Sequence, residues 1–355
     1  MRLVAGTAAL ALFLLATPAA AAAAGPQRLC TITDDRVDEP SGLGLVPGGY
    51  VTMNDSSDLA SHRKIFFLDH RCRVTRVVGY PSRPRDPEDL AVTPDGTVWV
   101  GDIGDNDRSR QTVALWRLRR GAQAPTLYRL TYPDRAHDAE ALVVTPAGQV
   151  FIITKDPLTP IVYTPSGPLR AGGTTPMKRL GTVTLPATDT SNPFGFAGRA
   201  VVTGAALAPG GDRVVIRTYA DAFEFPVRDG DVAGALTGTA RPARVPLPDE
   251  PQGEAVTYGA DGRWLLTLSE KGPAGKPPTI LRYPSALPPG PATTPPATAP
   301  STPTATASPR TVGAADRSPA GPARWLPPLG VGVVGVAAAG LVAVIVLRTG
   351  RRRRS

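Results

Sequence analysis

One short pattern occurs five times in this chain, and it limits the fold more than any other feature. Its clearest copy runs from Asp86-Pro87-Glu88-Asp89-Leu90-Ala91-Val92 through Thr93-Pro94-Asp95-Gly96 to Val98-Trp99-Val100-Gly101-Asp102. Leu90–Val92 is an apolar run of buried-strand type. Pro94-Asp95-Gly96 supplies a turn, because proline presets φ and glycine tolerates positive φ. Val98-Trp99-Val100 is β-branched and aromatic, as a second strand requires. Residues 112–118 and 127–130 read as third and fourth strands.

The other copies begin at Ser41, Glu140, Gly204 and Glu254, so successive steps are about 47, 52, 64 and 50 residues. The copy at Gly204 lacks the glutamate. Four strands repeated at this period indicate an all-β β-propeller, in which small sheets bury their faces against one another around an axis. Five repeats are counted; six blades are not excluded, because the long third repeat has room for extra strands. The last repeat has only three strands, ending in Thr279–Tyr283. Arg28–Thr33, ahead of the first copy, is placed to supply the missing outer strand and close the ring.

The flanks read differently. Residues 1–24 carry Arg2, an apolar stretch and an alanine run, the layout of a signal peptide. Residues 25–287 form the propeller ectodomain. Residues 288–324 are rich in Pro, Thr, Ala and Ser, a disordered stalk suited to O-glycosylation. Residues 326–347 are 22 uncharged residues, long enough for one transmembrane helix. Residues 348–355 are a basic tail that belongs on the cytoplasmic side. The expected location is the cell membrane, single-pass, with the propeller outside. Leu326-Pro327-Pro328-Leu329-Gly330 lacks the threonine of a wall-sorting signal, so the span is expected to be retained.

The formal net charge of +9 is misleading. Eight arginines lie beyond residue 290 and another is Arg2, which leaves the body almost neutral. No basic face for nucleic acid is evident. The two cysteines, Cys30 and Cys72, fall in the exported body and are expected to form one disulfide, both starting outer strands of adjacent blades. Two unrelated buried thiols are the alternative.

Residues that enter a first strand or leave a second one share one end of a propeller's channel. Asp86, Glu88, Asp89, His137, Asp138, Glu140, Glu250 and Glu254 enter. Asp55, Asp58, Asp102, Asp105, Asn106, Lys155, Asp156, Arg217, Asp221, Glu270 and Lys271 leave. Converging carboxylates suit a hard cation such as Ca²⁺ and raise one another's pKa. The metal ligands expected are Asp102, Asp105 and Glu88. The binding-face candidates are those three together with Asp86, Asn106, His137, Asp138, Glu140, Arg217, Glu254 and Glu270. Capping of turns, or bonding between blades, is the alternative role for these acids. No nucleophile elbow, phosphate-binding loop or zinc cluster is present.

Pro87–Val92 and Val100–Asn106 resemble the repeats of exported actinobacterial β-propeller proteins of unassigned function. More distantly the chain is similar to phytase-like, gluconolactonase-like and NHL-type propellers. The phytase-like resemblance implies Ca²⁺ and phosphate esters. Two functions are expected from this reading. One is a ligand-binding or interaction module for a cell-surface protein, a glycan or a small molecule. The other is a Ca²⁺-dependent hydrolase, either phosphoesterase or lactonase, using Glu88, Asp102, Asp105, Glu140 and Glu254.

Overall fold

The computed structural model describes residues 25–272 and 275–290. The signal, span and tail, and the stalk beyond residue 290, lie outside the described residues. Among the described residues no helix is long and apolar enough to cross a membrane.

Twenty strands pair as four-stranded units. β1 (Gln27–Thr31) stands apart at the start. The first blade is β2 (Pro40–Val46), β3 (Gly49–Asn54), β4 (Lys64–Asp69) and β5 (Val74–Gly79). The second is β6 (Pro87–Val92), β7 (Val98–Asp102), β8 (Val113–Leu118) and β9 (Thr126–Thr131). The third is β10 (Ala139–Val144), β11 (Val150–Thr154), β12 (Ile161–Pro165) and β13 (Thr174–Thr182). Helix α1 (Gly195–Ala200) leads into the fourth, with β14 (Val202–Leu207), β15 (Arg213–Thr218) and β16 (Asp221–Pro226). Helix α2 (Val232–Thr237) and β17 (Ala243–Pro246) complete it. The fifth is β18 (Gly253–Tyr258), β19 (Trp264–Ser269) and β20 (Thr279–Pro284), finished by β1.

β1 pairs antiparallel with β20, as Gln27↔Arg282 through Thr31↔Thr279, so the start of the body closes its last blade. The innermost strands β2, β6, β10, β14 and β18 contact one another in cyclic order, β18 returning to β2. That order is a closed ring of five blades. The long third repeat holds α1 and irregular chain, with no extra strand among the described residues.

Burial explains why the repeat folds this way. β10 and β11 are buried along their whole length, whereas outer strands such as β5 alternate. A strand packed on both faces needs a continuous apolar run; one with a wet face does not. The core accordingly divides into five clusters, one at each blade interface. Between blades one and two, for example, Met53, Ile65 and Val78 pack against Leu90, Val100 and Trp116. The inner hairpins turn on glycines with positive φ, including Gly96 (79°) and Gly148 (80°).

Three further ties were less visible. Asp89, fully buried, reaches across the axis: Oδ1 accepts from Leu90 N (2.8 Å), and Oδ2 from Leu142 N (2.8 Å) and Ala205 N (3.1 Å). One carboxylate thereby joins blades two, three and four. The start of β13 runs parallel to β9, which fuses blades two and three into one eight-stranded sheet. Cys30 and Cys72 form a disulfide with Cα atoms 5.6 Å apart, linking the closing strand to blade one. Cys30 lies near the end of β1 and Cys72 in the turn before β5, so neither starts a strand as expected.

Candidate functional site

Every innermost strand slips register by one residue against its neighbour near its beginning. In β2 the pairs Pro40↔Asn54 and Gly42↔Met53 leave Ser41 unpaired. The same slip leaves out Glu88 in β6, Glu140 in β10, Thr203 in β14 and Glu254 in β18. A bulge of this kind bends the strand and re-aims one side chain. These five residues are equivalent positions, and all five are buried. The fourth repeat therefore aligns through Thr203, one residue before the position read from sequence.

The five divide by chemistry. In blades one and four the bulged residue is a hydroxyl that grips the next blade. Ser41 Oγ donates to Glu88 O (2.6 Å), and Thr203 Oγ1 donates to Gly253 O (2.9 Å). In blades two, three and five it is a glutamate. Glu140 pairs with Lys155 Nζ (2.6 Å). Glu254 Oε1 accepts from Tyr219 Oη (3.0 Å) and Gln252 Nε2 (3.3 Å), while its Oε2 is buried with no hydrogen-bond partner. Gln252 Nε2 also donates to Glu270 Oε2 (2.7 Å). Glu88 converges with Asp55, just after β3, and Asp86, just before β6; one oxygen from each lies within 4.8 Å of the others. Gly104 borders this group. A Cβ there would collide with Glu88 Oε1 and Asp86 Oδ2.

Burial and mutual repulsion set the electrostatics. Burial, then Asp55, Glu140 and Asp86, push the Glu88 carboxyl well up. Burial, then Asp55, raise Asp86 to about 7. Glu140 and Glu254 are raised by burial despite the opposing pull of Lys155. Glu270 is raised by burial and by Glu254. Burial opposes the Lys155 charge, but Glu140, Tyr219, Glu254 and Glu88 outweigh it and hold the ammonium proton well above the usual range. A cation entering here replaces protons and relieves repulsion. Asp55 and Asp86 stay partly exposed, so solvent reaches the group.

The other expected residues are engaged elsewhere. Asp102 accepts from Arg85 N and Asp86 N (both 3.0 Å), Trp116 Nε1 (3.1 Å) and Arg110 Nη2 (2.8 Å). Asp105 accepts from Ser109 N (3.0 Å) and Arg110 N (2.8 Å). Both carboxylates have a donor on each oxygen, and neither joins the cluster of Glu88. The candidate ligand set shifts from Asp102, Asp105 and Glu88 to Asp55, Asp86 and Glu88. Asp138 Oδ1 accepts from Asp105 N (2.8 Å). Arg217 is fully buried between Glu250 Oε2 (2.6 Å) and Ala255 O (2.8 Å), bridging blades four and five. His137, 1% exposed, lies 3.1 Å from both Asp134 oxygens and 2.9 Å from Tyr163 Oη. Asn106 is exposed. Of the expected binding-face residues, Asp86, Glu88, Glu140, Glu254 and Glu270 come together. Tyr219 and Gln252 were not anticipated; nothing in their local sequence distinguishes them from loop residues.

No family model and no curated protein matches the chain. Several solved structures are similar to it at a distance. An aldose sugar dehydrogenase from Streptomyces coelicolor, in its PQQ-bound form, is 13% identical over 72% of this chain and 96% of that one, with a TM-score of 0.41. A gluconolactonase from Xanthomonas campestris is 13% identical over 66% and 68%, with a TM-score of 0.37. A virginiamycin B lyase from Staphylococcus aureus is 14% identical over 74% and 89%, with a TM-score of 0.34. These are propeller-type proteins. Likeness at this level carries nothing about chemistry, and the five-bladed ring rests on the strand order itself.

Proposed function

We propose that this protein is a membrane-anchored extracellular propeller that binds its ligand at the acidic mouth of the channel. A divalent cation of the Ca²⁺ type is held there by Asp55, Asp86 and Glu88. The observation that carries the reading is the convergence of those three carboxylates, with Glu254, whose buried Oε2 has no partner, within electrostatic reach of Asp55. Hard cations take six to eight oxygen ligands (roughly) at flexible geometry, so three carboxylates leave positions for water or for a ligand. The signal, stalk and span expected from the sequence would keep the propeller outside the cell and attached to its membrane. The ligand class is a cell-surface protein, a glycan or a small molecule.

Calorimetric titration of the detergent-solubilised full chain with CaCl₂ tests this. Saturable heat is expected, with a Kd on the order of 10⁻⁶–10⁻³ M, and it should vanish in Glu88→Gln and Asp86→Asn. Heat that survives both substitutions, or none in the native chain, removes the cation. Turnover of phosphate esters or lactones by the Ca²⁺-loaded chain, lost in the same variants, would replace the binding module with the hydrolase.

A further inference from the structure

The mouth is not lined by acids alone. Among the described residues four large apolar side chains stand exposed: Leu59 (57%), Leu158 (64%), Phe196 (69%) and Val77 (36%). Val77 lies on the outer strand β5. The other three sit on connections at the mouth end. Leu59 follows β3, Leu158 follows β11, and Phe196 lies in α1 before β14. Single exposed apolar residues are ordinary on a protein surface. Two of these are not scattered. Leu158 N donates to Ala200 O (3.1 Å), which ties the Leu158 loop to the helix carrying Phe196. Leu158 is also held at φ 65°, a left-handed conformation that a leucine rarely adopts.

This apolar rim is joined to the carboxylates. The Phe194 ring packs on Tyr219 with centroids 4.4 Å apart, and Tyr219 Oη donates to Glu254. Glu254 is 4% exposed and keeps one oxygen without a partner. Glu270, bridged to it by Gln252, faces Asp55 and Glu39 as well. Of the cations at this end, Lys155 is engaged by Glu140 and Arg217 by Glu250. Two rim arginines are likewise occupied, Arg83 with Asp58 and Arg108 with Asp156.

We propose that the mouth docks a protein segment that combines a lysine or arginine with a large apolar side chain. The basic group enters beside Glu254 and Glu270, and the apolar group packs on Leu158 and Phe196. The inference rests on the reading that the mouth is the ligand face, and it does not require the metal. Hydrogen-bond complementarity selects the occupant: Glu254 Oε2 is a buried acceptor without a partner, close to Glu270 through Gln252, and an ammonium or guanidinium group supplies the donors it lacks. An ionised acidic side chain or a lipid phosphate brings only acceptors to that position.

Selection of a phage-displayed library of random dodecapeptides against the full chain in detergent tests this, once in EDTA and once in CaCl₂. Enriched peptides should pair Lys or Arg with Leu, Phe or Trp. A synthetic copy of an enriched peptide should bind at least tenfold more weakly to Leu158→Asp, Phe196→Asp and Glu254→Gln. Val77→Asp should leave its affinity unchanged. Circular dichroism melts of each variant separate lost binding from lost folding. Acid-rich peptides, no enrichment, equal binding by all variants, or a preference for phosphatidylserine vesicles would each overturn the proposal. Peptide binding in EDTA with no calorimetric Ca²⁺ signal would remove the cation and keep the docking surface. Ca²⁺ binding with no enriched peptide would do the reverse.

Discussion

Glu250 and Glu254 stand four residues apart, are 3% and 4% exposed, and belong to the same blade edge, yet their surroundings are opposite. Glu250 is saturated. Its Oε1 accepts from Thr267 and Tyr283 (2.8 Å each), and its Oε2 from Arg217 (2.6 Å) and Ser269 (3.0 Å). Burial alone would raise its pKa, but Arg217 and these donors outweigh burial and hold it below the usual range. Glu254 has donors on one oxygen only, and burial raises it. Burial therefore does not distinguish a structural carboxylate from a binding one. The number of donors delivered to it does. Glu250 is a strut between blades four and five; Glu254 keeps binding capacity in reserve.

Breaking the strut should have the largest effect. Arg217→Met leaves Glu250 charged, buried and short of a partner, and should cost about 3–5 kcal/mol in urea denaturation. A cost below about 1 kcal/mol would place the pair among weak surface bridges and dissolve the contrast. Calcium should come next. At a hundredfold excess over Kd it should stabilise the native chain by about 2.7 kcal/mol and leave Glu88→Gln unaffected. Substituting the reserve itself should act in the opposite direction: Glu254→Gln, which removes a buried carboxyl with one oxygen unpartnered, should gain about 1 kcal/mol in EDTA once the pH is high enough to ionise the native carboxyl.

The pH dependence sharpens the same contrast. Asp86, Glu88, Glu254 and Glu270 are raised, so the folded chain keeps protons that the unfolded chain releases. Their stabilisation is fullest below the ordinary carboxylate range and is lost as pH rises through the folded values, which for Asp86 is about 7. Glu250 works the other way: its contribution is present above its unfolded value and is lost as pH falls through the lowered one. Melting temperatures in EDTA should thus fall between the acid side and pH 7, and Ca²⁺ or Glu88→Gln should flatten that fall. A rise over the same interval would mean that the mouth acids are already paired.

How much of this was readable beforehand follows from what each feature depends on. The blades depend on local signals: an apolar run, a Gly turn and a second apolar run, as at Leu90–Val92, Gly96 and Val98–Val100. The closing strand depends on a missing fourth strand in the last repeat, and Cys30 pointed to the same place. The mouth depends on something non-local, namely which backbone N–H groups reach which carboxylate. Asp102 and Asp105 look like ligands in sequence because acids are dense there. They are occupied because Arg85, Asp86, Ser109 and Arg110 turn their N–H groups onto them. The bulge also hides in sequence, since a one-residue slip leaves the apolar pattern intact and moves the fourth repeat's equivalent from Gly204 to Thr203.

The bulge provides the smallest test. Ser41 and Thr203 occupy the same position as Glu88, Glu140 and Glu254, but they use it to hold the neighbouring blade. Ser41→Ala leaves Glu88 O without that donor and should cost about 1 kcal/mol, with Ca²⁺ affinity nearly retained because the hydroxyl reaches the Glu88 carboxylate only through a long contact of 3.5 Å. Ser41→Glu places a further carboxylate against Glu88, so it should cost more in EDTA and recover part of the loss in CaCl₂. If Ser41→Glu is as stable as Ser41→Ala without the cation, the five positions are not electrostatically coupled. The mouth would then be a set of separate bulges with no shared field.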